Sequence, residues 1–118
     1  MVSVFDPQAL AKLAHDMKDP AFARAFAEKY AGLLDHRVAR IAEALDALDF
    51  IDGMDATLSL KVSSTTVGAC ELADVAREIE GDLRRQDLPA ARSRAVVLPE
   101  AAQRAQVALQ EYLTGPRP

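Results

Sequence analysis

The sequence predicts an all-α protein, an antiparallel up-and-down four-helix bundle preceded by a short extra N-terminal helix. Three observations carry that expectation. Half of the 118 residues are apolar, yet aromatics are few and Trp is absent, so the core must be built mainly from Ala, Leu and Val. Ala, Leu, Arg, Glu and Gln are good helix formers, and runs of β-branched residues are scarce. Apolar residues recur at three- and four-residue steps over most of the chain, the period of a helix with one buried face.

Helix boundaries follow from capping chemistry. Asp6-Pro7 opens the first helix, with Asp as N-cap and Pro at the first helical position. Leu10, Leu13 and neighbouring alanines make its short ridge, which ends near Lys18. Asp19-Pro20 repeats the start signal and opens the longest helix, whose apolar side runs through Phe22, Phe26, Tyr30, Leu33, Leu34, Val38, Ile41, Leu45 and Leu48. Asp49 starts a third helix, and Gly68 marks its end or a tight corner. Ala69, Leu72, Val75, Ala76, Ile79 and Leu83 stripe the fourth, which closes before a turn and restart at Gln86–Pro89. The last helix carries apolar positions from Ala91 to Leu113, and Pro99 must kink or break it near Val97-Leu98. The tail from Thr114 to Pro118 is expected to fray.

The third helix, within Asp49 to Ala69 (DFIDGMDATLSLKVSSTTVGA), has two apolar faces. Phe50, Met54, Thr57, Leu60, Ser64 and Val67 form a core stripe. Ile51, Leu58 and Val62 line up on the opposite side, with Asp55 and Thr65 among them. A surface helix has no need of a second stripe, so this one implies a cover or a partner.

Composition narrows the function. A formal charge of −4 and a pI near 5.1 argue against nucleic acid or an anionic membrane surface. The lone Cys70 makes no internal disulfide, reads as a packed thiol, and belongs to no CxxC or Cys/His cluster. No metal or cofactor is expected. The N-terminus lacks the basic and apolar regions of a signal peptide, and no apolar run approaches a membrane span, so a cytoplasmic location is expected. Glu43, Asp46, Asp49 and Asp52 read as a solvated helix face. His15 and His36 read as solvated or edge-of-core imidazoles. Glu-x-x-His pairs, P-loops and nucleophile elbows are absent, and the residues alone show no enzyme.

The segment LSLKVSSTTVGA, taken with the order of helices, resembles the histidine-containing phosphotransfer (HPt) domain. That family's signature is H-x-L-K-G-S-(S/A), followed four residues on by Gly-Ala. Leu60, Lys61, Ser63, Ser64, Gly68 and Ala69 match it, and the likeness extends over nearly the whole chain. Two positions depart. The phosphorylated His falls on Leu58 and the following Gly on Val62, both on the second apolar stripe. A side chain without a lone pair cannot attack a phosphoryl group. The resemblance therefore implies a degenerate HPt domain that docks the receiver domain of a response regulator or hybrid kinase, or a histidine-kinase domain, through Ile51, Asp55, Leu58, Lys61, Val62 and Thr65. Lys61 is expected to lend that surface a positive edge. Two alternatives accompany it. One is an active phosphotransfer protein using His36, which has Ala39 where the motif places Lys. The other is a homodimer in which Ile51, Leu58 and Val62 pair with the same face of a second copy.

Overall fold

The computed structural model describes residues 2–115, and all regular structure among them is helical. The order is α1 (Pro7–Met17), α2 (Pro20–Asp46), α3 (Phe50–Val67), α4 (Cys70–Arg84), α5 (Leu88–Ala95) and α6 (Leu98–Thr114). Residues 116–118 of the tail expected to fray lie outside the described residues.

Four of the six starts, those of α1, α2, α3 and α5, are set by a side-chain oxygen meeting an otherwise orphaned backbone N–H. Asp6 accepts from Gln8, Asp19 from Ala21 and Phe22, Asp49 from Asp52, and Asp87 from Ala90. Gly68 ends α3 with φ of +92°, and its backbone carbonyl accepts from the Asp6 N–H at 2.8 Å. A Cβ at this position would run into the Asp6 carbonyl oxygen and the Ala9 side chain. Gly68 thus allows the left-handed turn and lets the start of α1 lie against the α3–α4 corner. The last predicted helix is two helices. Pro99 lacks an N–H, and its ring opposes the carbonyl four residues earlier, so the chain breaks at Val96-Val97 and restarts with Pro99 in the first turn of α6.

Contacts run from α2 to α3, from α3 to α4, from α4 to α6 and from α6 back to α2, with α1 on α2 and α3 and α5 on α2 and α4. Two ties show that α2 and α3 run antiparallel: Tyr30 meets Ser64, and Arg40 meets Asp52. Gln106 donates to the Ala31 carbonyl and Arg24 to the Leu113 carbonyl, which sets α6 antiparallel to α2.

The interior is aliphatic, with Leu34, Ile41, Leu60, Leu72 and Ile79 fully enclosed. Tyr30 is the one aromatic among the fully enclosed large side chains, and its hydroxyl shares a buried 2.7 Å hydrogen bond with Ser64. Burial pushes its pKa up to about 12, against the smaller opposing pull of that hydrogen bond. The apolar side expected along α2 is corrected at several positions. Phe22 and Leu48 are exposed and Phe26 and Leu33 half-buried, whereas Ala23, Ala27, Ala31 and Ala44 are buried. Small side chains let α2 approach its neighbours closely and leave the large ones at its flank. Helix α2 also stops at Asp46, and Leu48 sits in the link with φ of +58°.

On α3, Thr57, Leu60, Ser64 and Val67 are fully buried, while Phe50 is exposed and Met54 half-buried, so the fully buried part of the stripe begins about two turns later than its pattern suggests. Leu60→Ala is expected to cost about 2–5 kcal/mol, and Ile51→Ala, on the opposite face, within about 0.5 kcal/mol. Urea midpoints of the two variants check this, and equal shifts would overturn the assignment of faces.

Candidate functional site

The outward face of α3 carries the six residues that the sequence groups together. Ile51 is 86% exposed and Val62 61%. Leu58 stands between them on the helix and is half-buried. The end of α4 lies on one side of it. Leu83 and Arg84 join Gln86, Phe50, Met54 and Leu58 in the walls of an open groove of about 680 Å³. One flank of Leu58 therefore rests against protein while the other faces out.

The ionic groups around this face are paired across helices. Arg40 on α2 donates to Asp52 at 2.6 Å and to Asp55 at 2.8 Å, and the two carboxylates hold its guanidinium pKa above the usual value. On the other flank Glu80 of α4 accepts from Lys61 at 2.7 Å and from Arg84 at 2.6 Å. Hydrogen bonds from Lys61 and then Arg84 hold the Glu80 carboxyl below its ordinary range. Lys61 is thus not the free positive edge expected of it. Its charge is engaged from below, and the exposed cation of the trio is Arg84. Thr65 is exposed, but its hydroxyl donates back to the Lys61 carbonyl at 2.7 Å. Ser63 and Thr66 bond to their own helix in the same way.

The centre of the face is hydrocarbon, and the hydroxyls of Ser63, Thr65 and Thr66 are spent on backbone carbonyls. This arrangement can hold an apolar partner surface, but Leu58 offers no lone pair for group transfer. His15 and His36 are exposed on α1 and α2, away from α3's outward stripe. No group of three or more His, Cys, Asp or Glu suited to a metal ion occurs among the described residues, and no helix among them is long and apolar enough to cross a membrane. Cys70, expected to be packed, is half-buried in the first turn of α4 and donates its thiol to the Gly68 carbonyl at 3.3 Å. No family model, curated protein or solved structure matches this chain.

Glu80 and Arg84 went unnoticed in the sequence. A glutamate and an arginine four residues apart look like an ordinary exposed helix pair, and nothing local points across to Lys61. Lys29 and Arg37 were missed as well. With Lys18, they are the described lysines and arginines that make no ion pair. Neither has an acidic residue three or four positions away, but Lys61 shares that feature, so sequence alone does not separate them.

Because the Glu80 carboxyl lies below its unfolded pKa, its contribution to stability is present above that pKa and lost as pH falls through the depressed value. Glu80→Gln is expected to lower stability at neutral pH and to flatten this acid-side fall. Denaturation midpoints from about pH 7 to about pH 3 check it, and an unchanged slope would mean that the trio adds no net stability.

Proposed function

We propose that this chain is an HPt-type docking module that has lost phosphotransfer, binding a receiver domain or a histidine-kinase domain through the outward face of α3. The observation that carries the reading is Leu58 itself. It occupies the position that the resemblance gives to the phosphorylated His, at the centre of an outward face, with Ile51 and Val62 open to either side. The circuit of contacts through α2, α3, α4 and α6 supports a four-helix bundle of HPt kind, with α1 as the extra N-terminal helix and α5 as an insertion ahead of α6. Gly68, matched by the resemblance, serves as the left-handed end of α3.

Two ion-pair groups border the docking face: Arg40 with Asp52 and Asp55, and Glu80 with Lys61 and Arg84. Each presents a partner with a fixed, partly neutralised edge around an apolar centre. A rigid face of this kind favours binding, because little side-chain entropy is lost on contact. Ile51, the most exposed large apolar side chain described, equally suits a second copy of the chain, and self-association is the second reading.

Incubation with a phosphorylated receiver domain is expected to leave no acid-labile, base-stable phosphate on the protein. Label that vanishes in a His36→Gln variant would overturn this and place the chemistry on α2.

Leu58→Asp is expected to keep the helical circular dichroism signal while weakening receiver or kinase binding by about 2 kcal/mol or more, roughly thirtyfold, since a carboxylate would be desolvated at the centre of the contact. Titration calorimetry against receiver domains of the same cell reads the loss, and sedimentation of both forms reads self-association. Binding and mass both unchanged would mean that this face docks nothing.

A further inference from the structure

A second surface lies on the flank of α2. Phe22, Ala25, Phe26, Lys29, Tyr30 and Arg37 line an open groove of about 380 Å³. Its floor is aromatic: Phe22 is 40% exposed, Phe26 is half-buried, and Tyr30 is anchored from beneath by Ser64. Lys29 and Arg37 line the same groove, and both lack a carboxylate partner.

This arrangement departs from the rest of the molecule. The chain carries a net charge of −4, and its other described cations, Lys18 apart, are matched to acids. Cations left unmatched on an acidic protein, eight positions apart along one groove that Phe22 and Phe26 also line, are complementary to one kind of occupant. The geometry points to a docking groove for an acidic segment of a partner protein, in which an aromatic side chain settles on Phe22 and Phe26 while flanking carboxylates meet Lys29 and Arg37. The ring removes apolar surface from water, and the two charge-assisted contacts fix its orientation. A short extended or helical segment reaches both cations, since they lie eight positions apart on one helix, about 12 Å along its axis. The groove is separate from the α3 face, whose centre is Leu58, and the inference does not rest on that face being occupied.

The test is a titration of the 15N-labelled full chain with a synthetic peptide, acetyl-Glu-Glu-Phe-Glu-Glu-amide, followed by amide chemical shifts. Saturable shifts are expected between Phe22 and Arg37, with a dissociation constant on the order of 1 mM or tighter. Replacing the peptide's Phe by Ala, or its Glu by Gln, should weaken binding at least about tenfold, as should Lys29→Glu with Arg37→Glu in the protein. Raising salt from about 0.05 M to about 0.5 M should weaken it further, because surface charges are screened. Leu58→Asp should leave peptide binding unchanged, which separates this groove from the α3 face. Should the double reversal unfold the chain, Lys29→Gln with Arg37→Gln keeps the comparison. Absence of saturable shifts, shifts centred on α3, or equal binding of the Ala peptide would overturn the proposal. Shifts in α2 that grow with protein concentration alone would overturn it too, assigning the groove to a second copy.

Discussion

The hydrogen bond between Tyr30 and Ser64 fixes how α2 lies on α3, and the exposed surface of α3 follows from it. Both hydroxyls are buried, so each must be satisfied inside the protein, and leaving either alone would cost about 1–3 kcal/mol. In the observed register and rotation the two satisfy each other. With Ser64 turned inward, Leu60, Thr57 and Val67 follow it at helical steps into the core, where all four are fully enclosed. Ile51, Leu58 and Val62 are then carried to the far side. The rotation is reinforced at the other end, where Arg40 clasps Asp52 and Asp55. A one-residue slip would bring Thr65 or Ser63 against Tyr30 and swing Val62 toward the interior. The apolar outward face is thus a consequence of how the core is tied, rather than of loose packing.

A second constraint acts at the joint between α4 and α5. Asp82 is fully buried with one carboxylate oxygen on Arg85 and the other on Arg94, both at 2.6 Å. Arg94 also reaches Glu78 at 2.9 Å, so α5 is held to α4 by one guanidinium shared between two acids. Asp82 is the buried member, so removing both arginines would strand its charge, which is far costlier than the modest net worth of the intact group. The same α4 sends Glu80 to Lys61 and lays Leu83 and Arg84 beside Leu58. Position and charge around the candidate site therefore depend on α4, although the residues first singled out all lie on α3.

Local chemistry was legible in the sequence, and cross-helix geometry was not. Asp6, Asp19 and Asp49 cap the helices they precede, Gly68 takes the left-handed turn, and Pro99 breaks the chain where a missing N–H requires it. Each is a signal confined to a few residues. The two faces of α3 were legible because a helical projection needs only the helix itself. Misjudged features depend on what a neighbouring helix contributes. Leu58 is half-buried beside the end of α4, and Lys61 loses its free charge to Glu80. On α2 a hydrophobic pattern points to the largest apolar side chains as the core, whereas close packing buries Ala23, Ala27 and Ala31 and leaves Phe22 at the flank. In a core poor in aromatics, small residues can be the buried ones, and a pattern weighted by hydrophobicity overlooks them.

The charge inventory separates the two surfaces. Around Leu58, nearby acids and bases already satisfy one another, so a partner gains little from ionic contact there and must be held by apolar complementarity. Val62 adds a branched, exposed side chain to that apolar centre. The α2 groove offers the reverse: two cations without partners over a small aromatic floor, where long-range attraction and charge-assisted bonds dominate. Surface charges of this kind speed association and fix orientation more than they add affinity.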